Sequence, residues 1–187
     1  MIRRPSQAVV VDADDDALAR RAGLGDRRAF AVIVERHGPA MFRFARRVLL
    51  DDGDAEDAVQ DAFVAAWQHL GGFRGDSALR TWLFRLTLNK AHNIRRKRRP
   101  EPQEPDDAPA PDTADPASDV VAGALVAAVD RALAALPPNQ RIVWILREVD
   151  GLSYEEIAHV MHTSRDVVRG LLHRARHALA ERLAAWR

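Results

Sequence analysis

Leu152-Ser-Tyr-Glu-Glu-Ile-Ala-His-Val-Met-His-Thr-Ser-Arg-Asp-Val-Val-Arg-Gly-Leu-Leu-His-Arg-Ala-Arg176 is the stretch that decides the fold. It reads as two helices joined by a tight turn. Ser153 and Glu156 form a capping box, in which hydroxyl and carboxylate each satisfy a free backbone donor at a helix start. Ile157, Ala158 and Met161 follow as one short apolar face. After Thr163-Ser164 a second periodic run begins, with Val168, Leu171, Leu172, Ala175 and Leu179 at helical spacing. The opposite face carries Asp166, Arg169, His173, Arg174 and His177. A buried stripe backed by arginines on a short second helix is the form of a DNA-reading helix-turn-helix. DNA is therefore the first partner to test.

The whole chain has 187 residues, enough for one ordinary domain or two small ones. Its formal charge of +1 gives no hint of nucleic acid. The charge is nonetheless segregated. Arg80 to Arg99 contains basic residues and no acidic ones, Glu101 to Asp119 reverses this, and acids cluster at Asp12–Asp16 and Asp51–Asp61. There is no cysteine, so disulfides and thiolate metal sites are excluded. The start, Met-Ile-Arg-Arg-Pro-Ser, has no apolar run behind it, and no stretch approaches the roughly 20 apolar residues of a bilayer span. A cytoplasmic protein is expected.

Residues 100–117 are rich in Pro, Asp, Glu and Ala, lack aromatics, and cannot bury enough apolar surface to offset chain entropy. They are expected to form a flexible linker between a unit at 14–99 and a unit at 118–187, with 1–13 a disordered tail. Strand signals are nearly absent, so the expectation is an all-α protein of two small helical bundles. Ala29–Leu50 reads as helical with an interruption at Gly38-Pro39. Asp54–Leu70 reads as a helix with Val59, Ala62, Phe63, Ala66, Trp67 and Leu70 on one face, ended by Gly71-Gly72. After the loop Phe73–Ser77, a helix from about Ala78 to Arg98 buries Leu79, Trp82, Leu83, Leu86 and Ile94. Val120–Leu136 and Asn139–Val149 are helices separated by Pro137-Pro138, and Asp150-Gly151 closes the second.

In this order the segments resemble the group-four, extracytoplasmic-function sigma factors of bacterial RNA polymerase, in the sigma-70 family. The resemblance runs from Gly25-Asp26-Arg-Arg-Ala-Phe30 to Arg182. Gly25–Phe30 and Glu35-Arg-His37 match the opening helix of that family. Asp54-Ala-Glu-Asp-Ala-Val-Gln-Asp-Ala-Phe63 looks like its polymerase-binding helix. Phe73-Arg-Gly-Asp-Ser-Ala-Leu-Arg-Thr-Trp-Leu83, with Asn89 and Asn93, resembles the segment that melts and reads the minus-ten element. Leu136-Pro-Pro-Asn-Gln-Arg141 through Arg176 resembles the minus-thirty-five domain. The resemblance implies a subunit without catalytic residues, cofactor or metal. Its partners would be core polymerase, promoter DNA in duplex and melted form, and an anti-sigma factor.

The side chains suit these tasks. Asp54, Asp57, Gln60 and Asp61 lie off the apolar stripe and offer an acidic surface to a basic protein, which the resemblance identifies as the clamp of the polymerase largest subunit. The acidic run Asp51–Asp61 does not fit a calcium loop, because Gly53 and the spacing fail the EF-hand pattern. For the minus-ten element the candidates are Arg74, Asp76, Ser77, Arg85, Asn89, Lys90, Asn93 and Arg96. Arg85, Lys90, Arg95 and Arg96 can neutralise phosphates, Asn89 and Asn93 can bond base edges, and the small polar loop Arg74–Ser77 can line a pocket for an extruded base. Capturing a base outside the stack offsets unstacking and lets binding open the duplex without ATP. Trp82 is expected in the core. For the minus-thirty-five major groove the candidates are Ser164, Arg165, Arg169, His173 and Arg174, with Arg176 on phosphate or packing its stem.

The sequence departs from the family where His162 replaces the usual turn glycine and where Gly170-Leu171 replaces serine-arginine. Altered or weaker minus-thirty-five recognition is expected. The pairs His159/His162 and His173/His177 lack the frame of a metal site. The competing reading is a stand-alone helix-turn-helix regulator whose first bundle senses or dimerises. A hydrolase using Asp54, Asp57 and Asp61 with His69 lacks a nucleophile and a pocket. The chain ends at Arg187, and no further C-terminal domain is expected.

Overall fold

The computed structural model describes residues 14–98 and 122–184, the latter without the side chains of 122–126. The tail 1–13 and the linker 100–117 lie outside the described residues. Helices run over Asp15–Gly23 (α1), Arg27–Leu49 (α2), Asp52–His69 (α3), Leu79–Arg98 (α4), Ala122–Ala134 (α5), Pro138–Trp144 (α6), Tyr154–Val160 (α7) and Arg165–Arg182 (α8). A 3-10 turn, Leu70–Gly72, follows α3, and a π turn, Ile145–Val149, follows α6. The described residues contain no strand.

Local chemistry explains most helix starts. Asp14, Asp26 and Asp51 cap α1, α2 and α3 by accepting backbone N–H groups. Ser153 and Glu156 form the capping box of α7: Ser153 N donates to Glu156 Oε2 at 2.8 Å, and Glu156 N donates to Ser153 Oγ at 3.2 Å. Pro138 opens α6, where its missing N–H is not needed.

The expected interruption at Gly38-Pro39 does not occur, and α2 runs straight through Pro39. Proline costs one backbone bond there. Ile33, His37, Met41, Phe44, Ala45 and Val48 are buried along the same helix, on both sides of the proline. Packing on a shared core therefore outweighs the lost bond.

Helix α3 also differs in detail from its sequence pattern. Its buried stripe is made of Ala55, Ala58, Ala62 and Ala66, while Trp67 is 37% exposed and Val59 and Phe63 are partly buried. Small alanines let α3 lie close to α2 and push the larger rings to the edge.

The first core gathers Leu18, Ile33, Met41, Leu79, Trp82 and Leu83 from α1, α2 and α4, with Ala62 and Ala66 of α3. A second lies between α5, the residues after it and α8, through Leu133, Leu136, Ala175 and Leu179. The largest cluster crosses between the two halves. Phe44, Val48, Phe84, Leu88 and Ala91 from α2 and α4 meet Ile142, Ile145, Leu146, Leu152, Ile157, Val168 and Leu172 from α6 to α8. The two bundles thus pack against each other in one contiguous apolar seam.

Candidate nucleic-acid and polymerase interfaces

Three surfaces carry the residues singled out by sequence. The first is on α3. Asp57, Gln60 and Asp61 are exposed, and they continue along the helix into Val64, 50% exposed, and Trp67. Trp67 stands edge-on to Phe30, with ring centroids 5.0 Å apart. An acidic patch with an apolar extension suits a protein partner better than solvent alone. Asp54 does not belong to this exposed patch. It is only 8% exposed, and Arg98 Nη2 at the end of α4 approaches its Oδ1 at 2.7 Å. One turn separates Asp54 from Asp57, and that rotation carries it under α4.

The second surface is the basic helix α4 and the loop before it. Arg74 and Asp76 are exposed and Ser77 is half-buried, with Gly75 between them at φ +76°, a left-handed conformation that favours glycine. Phe73 and Trp82 pack with centroids 5.3 Å apart and root the loop on the core. Trp82 is buried, as its spacing predicts. Asn89, Asn93 and Arg96 face solvent in one stripe, and Arg96 Nη2 donates to Asn93 Oδ1 at 3.1 Å. Lys90 lies beside them, half-buried. Arg85 begins the same stripe, but its Nη1 lies 3.0 Å from His159 Nε2 on α7. Guanidinium can only donate, so His159 accepts and is neutral in this pairing. Burial, then Arg85 and His162, holds His159 below its ordinary pKa, against the pull of Asp76.

The third surface is α8. Ser164 caps it, accepting from Val167 N at 3.3 Å, and the helix is unbroken through Gly170. Arg165, Arg169, His173 and Arg174 are exposed on the side opposite the buried Val168, Leu172, Ala175 and Leu179. Two of these cations already have acidic neighbours: Arg165 Nη1 lies 2.8 Å from Glu155, and Arg169 Nη1 lies 3.2 Å from Asp166. Arg176 is drawn off this face. Its Nη2 and Nε hold Glu148 of the π turn at 2.6 and 3.1 Å, and that bond raises its pKa further. His162 has φ +51°, which is why glycine is the favoured residue in such a turn.

Sequence reasoning did not single out Val64, nor Val167, 47% exposed in the first turn of α8. It also missed the groups that join the halves. Arg80 Nη2 donates to Asp150 Oδ1 at 3.3 Å, and Thr81 Oγ1 donates to Glu156 Oε1 at 2.9 Å. Among the described residues no three His, Asp or Glu side chains gather as a metal site would require. No described helix is long and apolar enough to cross a membrane.

A helical protein with an exposed acidic face, a basic helix bearing paired asparagines and a helix-turn-helix has the parts of a promoter-specificity subunit. The comparisons agree. Residues 33–101 match Sigma-70 region 2, and residues 127–179 match Sigma-70, region 4. The RNA polymerase sigma-H factor of Pseudomonas aeruginosa is 35% identical over 180 residues, covering 90% of this chain and 93% of its own. The ECF RNA polymerase sigma-E factor of Escherichia coli K12 is 36% identical over 176 residues, covering 88% and 92%. Among solved structures, CnrH in complex with the cytosolic domain of CnrY superposes with a TM-score of 0.70 at 35% identity, covering 91% of this chain and 97% of that one. The sigma factor RpoE of Bartonella quintana, solved with the anti-sigma factor NepR, gives 0.66 at 27%, covering 84% and 98%. The chain belongs to the extracytoplasmic-function sigma factors of the sigma-70 family. It is a subunit that binds core RNA polymerase and directs promoter recognition, melting and initiation, which sets aside the stand-alone regulator.

Proposed function

We propose how this sigma factor divides its tasks among its residues. Asp57, Gln60 and Asp61, extended by Val64 and Trp67, dock on core polymerase, and Asp54 supports them from beneath through Arg98. The loop Arg74, Asp76 and Ser77 receives an extruded base of the minus-ten element. Asn89 and Asn93 read base edges while Arg85, Lys90 and Arg96 hold phosphates. Ser164, Arg165, Arg169, His173 and Arg174 read the minus-thirty-five duplex, and Arg176 reaches phosphate only by leaving Glu148. The first set belongs to a unit at 14–99 and the last to a unit at 118–187.

The observation that carries this reading is the solvent-facing stripe Asn89–Asn93–Arg96 beside the polar loop at 74–77. Such a stripe pairs hydrogen-bonding amides with cations on a rigid helix rooted in the core, as capture of a melted strand needs. No residue is assigned covalent chemistry, and the work is done by binding. The protein acts in the cytoplasm, where polymerase and promoters are. Control by an anti-sigma factor is carried over from a similar protein solved with one.

The test is binding to core polymerase by Asp57→Lys/Asp61→Lys. Reversing both charges is expected to weaken assembly at least tenfold while circular dichroism stays unchanged. Unaltered affinity would move the docking face elsewhere.

A further inference from the structure

The face of α8 turned away from the core is not uniformly charged. Val167 is 47% exposed in the first turn, and Gly170 and Arg174 stand three and seven positions further along. At about 3.6 residues per turn these three lie on one stripe. Asp166 and Arg169, paired with each other, lie to one side of it. Val168 is fully buried, so the two adjacent valines serve different sides of the helix. Leu171, one turn on from Val167, is partly buried against the core. Val167 is left as the large apolar group on the exposed face.

Gly170 holds the middle of the stripe without a side chain. A Cβ placed there would lie 3.5 Å from Arg174 Nη1, so the guanidinium folds back along the helix over the glycine. A longer side chain at 170 would occupy that place. Glycine weakens a helix interior, yet α8 is unbroken here. Glycine in place of the usual serine therefore does more than remove a contact: it brings the Arg174 charge toward the first turn.

The first residues of a recognition helix are the ones that meet base edges in the major groove. Each base pair shows a distinct pattern there, and thymine alone presents a methyl group, at C5. A valine set against that methyl releases water from two apolar surfaces. Set against a phosphate or an amine, it would strip water from a polar group and offer no bond in return. The guanidinium beside it suits the O6 and N7 atoms of guanine.

We infer that Val167 is a specificity-determining residue of the minus-thirty-five contact: it reads the C5 methyl of a thymine, while Arg174, laid over Gly170, meets a neighbouring guanine. This rests on the assignment of α8 to that duplex made above. Apolar contact adds sequence preference without neutralising a phosphate, so it leaves the salt dependence of binding unchanged.

Promoter-length duplexes randomised across the minus-thirty-five region, and selected for binding by core polymerase carrying this protein, supply the probe. Each thymine of the selected region, on either strand, is then replaced by deoxyuridine, which lacks only the C5 methyl. At one position the replacement is expected to weaken binding about fourfold, the worth of one buried methyl. Val167→Ser withdraws both valine methyls from an exposed position. It is expected to bind the thymine duplex about as weakly and no longer to distinguish thymine from deoxyuridine there. Its salt slope and circular dichroism should match those of the unaltered protein. Gly170→Gln should keep the methyl effect and lose the preference for guanine at the neighbouring pair. A selected region in which no thymine methyl matters, or a methyl effect that survives Val167→Ser, overturns the proposal. A methyl effect lost together with the salt slope also overturns it, because Val167 would then hold the helix in place without reading a base. Selection of no upstream sequence at all would instead sink the assignment of α8 to the duplex, so the two failures are distinguishable.

Discussion

Replacing Glu156 by alanine removes two things at once. The capping box loses its carboxylate, which leaves the Ser153 N–H without a partner. Loss of a helix cap costs about 0.5–2 kcal/mol. The Thr81 hydroxyl loses its acceptor in a buried seam, and an orphaned buried hydroxyl costs about 1–3 kcal/mol. Together these give about 1.5–5 kcal/mol. For a chain of this size that lowers Tm by about 3–20 °C, at roughly 2–4 °C per kcal/mol. Thermal unfolding followed by circular dichroism measures it. The informative comparison is the same change in a Thr81→Val background, where no hydroxyl is left to orphan. There Glu156→Ala should cost about 1–3 kcal/mol less. Equal losses in both backgrounds would refute the reasoning, because Thr81 and Glu156 would then not meet in solution. The pH dependence follows. Burial raises the Glu156 pKa, but bonds from the Ser153 backbone and hydroxyl and from Thr81, with Arg80 nearby, bring it below the ordinary value. A depressed carboxyl contributes stability above its unfolded pKa of about 4.3 and loses it as pH falls through the folded value. Glu156→Gln should therefore flatten the acid limb of the stability curve.

Other perturbations separate the surfaces. Asn89→Ala is expected to impair open-complex formation on duplex promoters, read by permanganate footprinting, while core binding stays intact; loss of core binding would mean that α4 faces the polymerase. Arg169→Ala is expected to weaken promoter binding and to reduce the slope of log affinity against log salt by about 1 if it holds a phosphate; an unchanged slope in a titration counts against that contact. His162→Gly should stabilise the protein by about 0.5–1 kcal/mol, because glycine adopts the left-handed turn without the Cβ clash. A lower Tm for that variant would show that the imidazole makes a compensating contact.

The elements governed by local rules were legible in sequence. The capping box of α7, the exposed cations of α8 and the core position of Trp82 all follow from spacing and short-range bonding. What was missed depends on neighbours distant in the chain. Pro39 stays helical because of a core that no local pattern reveals. Asp54 looks like its neighbours Asp57 and Asp61 until Arg98 folds over it. The second buried face of α4 had a signal that went unused. Besides Leu79, Trp82 and Leu83, the helix carries Phe84, Leu88 and Ala91 on another side, and a helix apolar on two sides is covered on both. Thr81, buried in that second face, reads as an ordinary polar residue until Glu156 is brought beside it. The departure at His162 was visible in sequence, but only the backbone angle explains why glycine is favoured there.

Transcription reconstituted from core polymerase, this protein and fragmented genomic DNA, with start sites mapped, tests the central claim most directly. The account predicts transcripts that depend on the protein and share a two-part sequence upstream of their starts. Asn89→Ala and Arg169→Ala should each reduce them, the first at the melting step and the second at duplex binding. Absence of protein-dependent transcripts despite a folded chain and active core polymerase would contradict it.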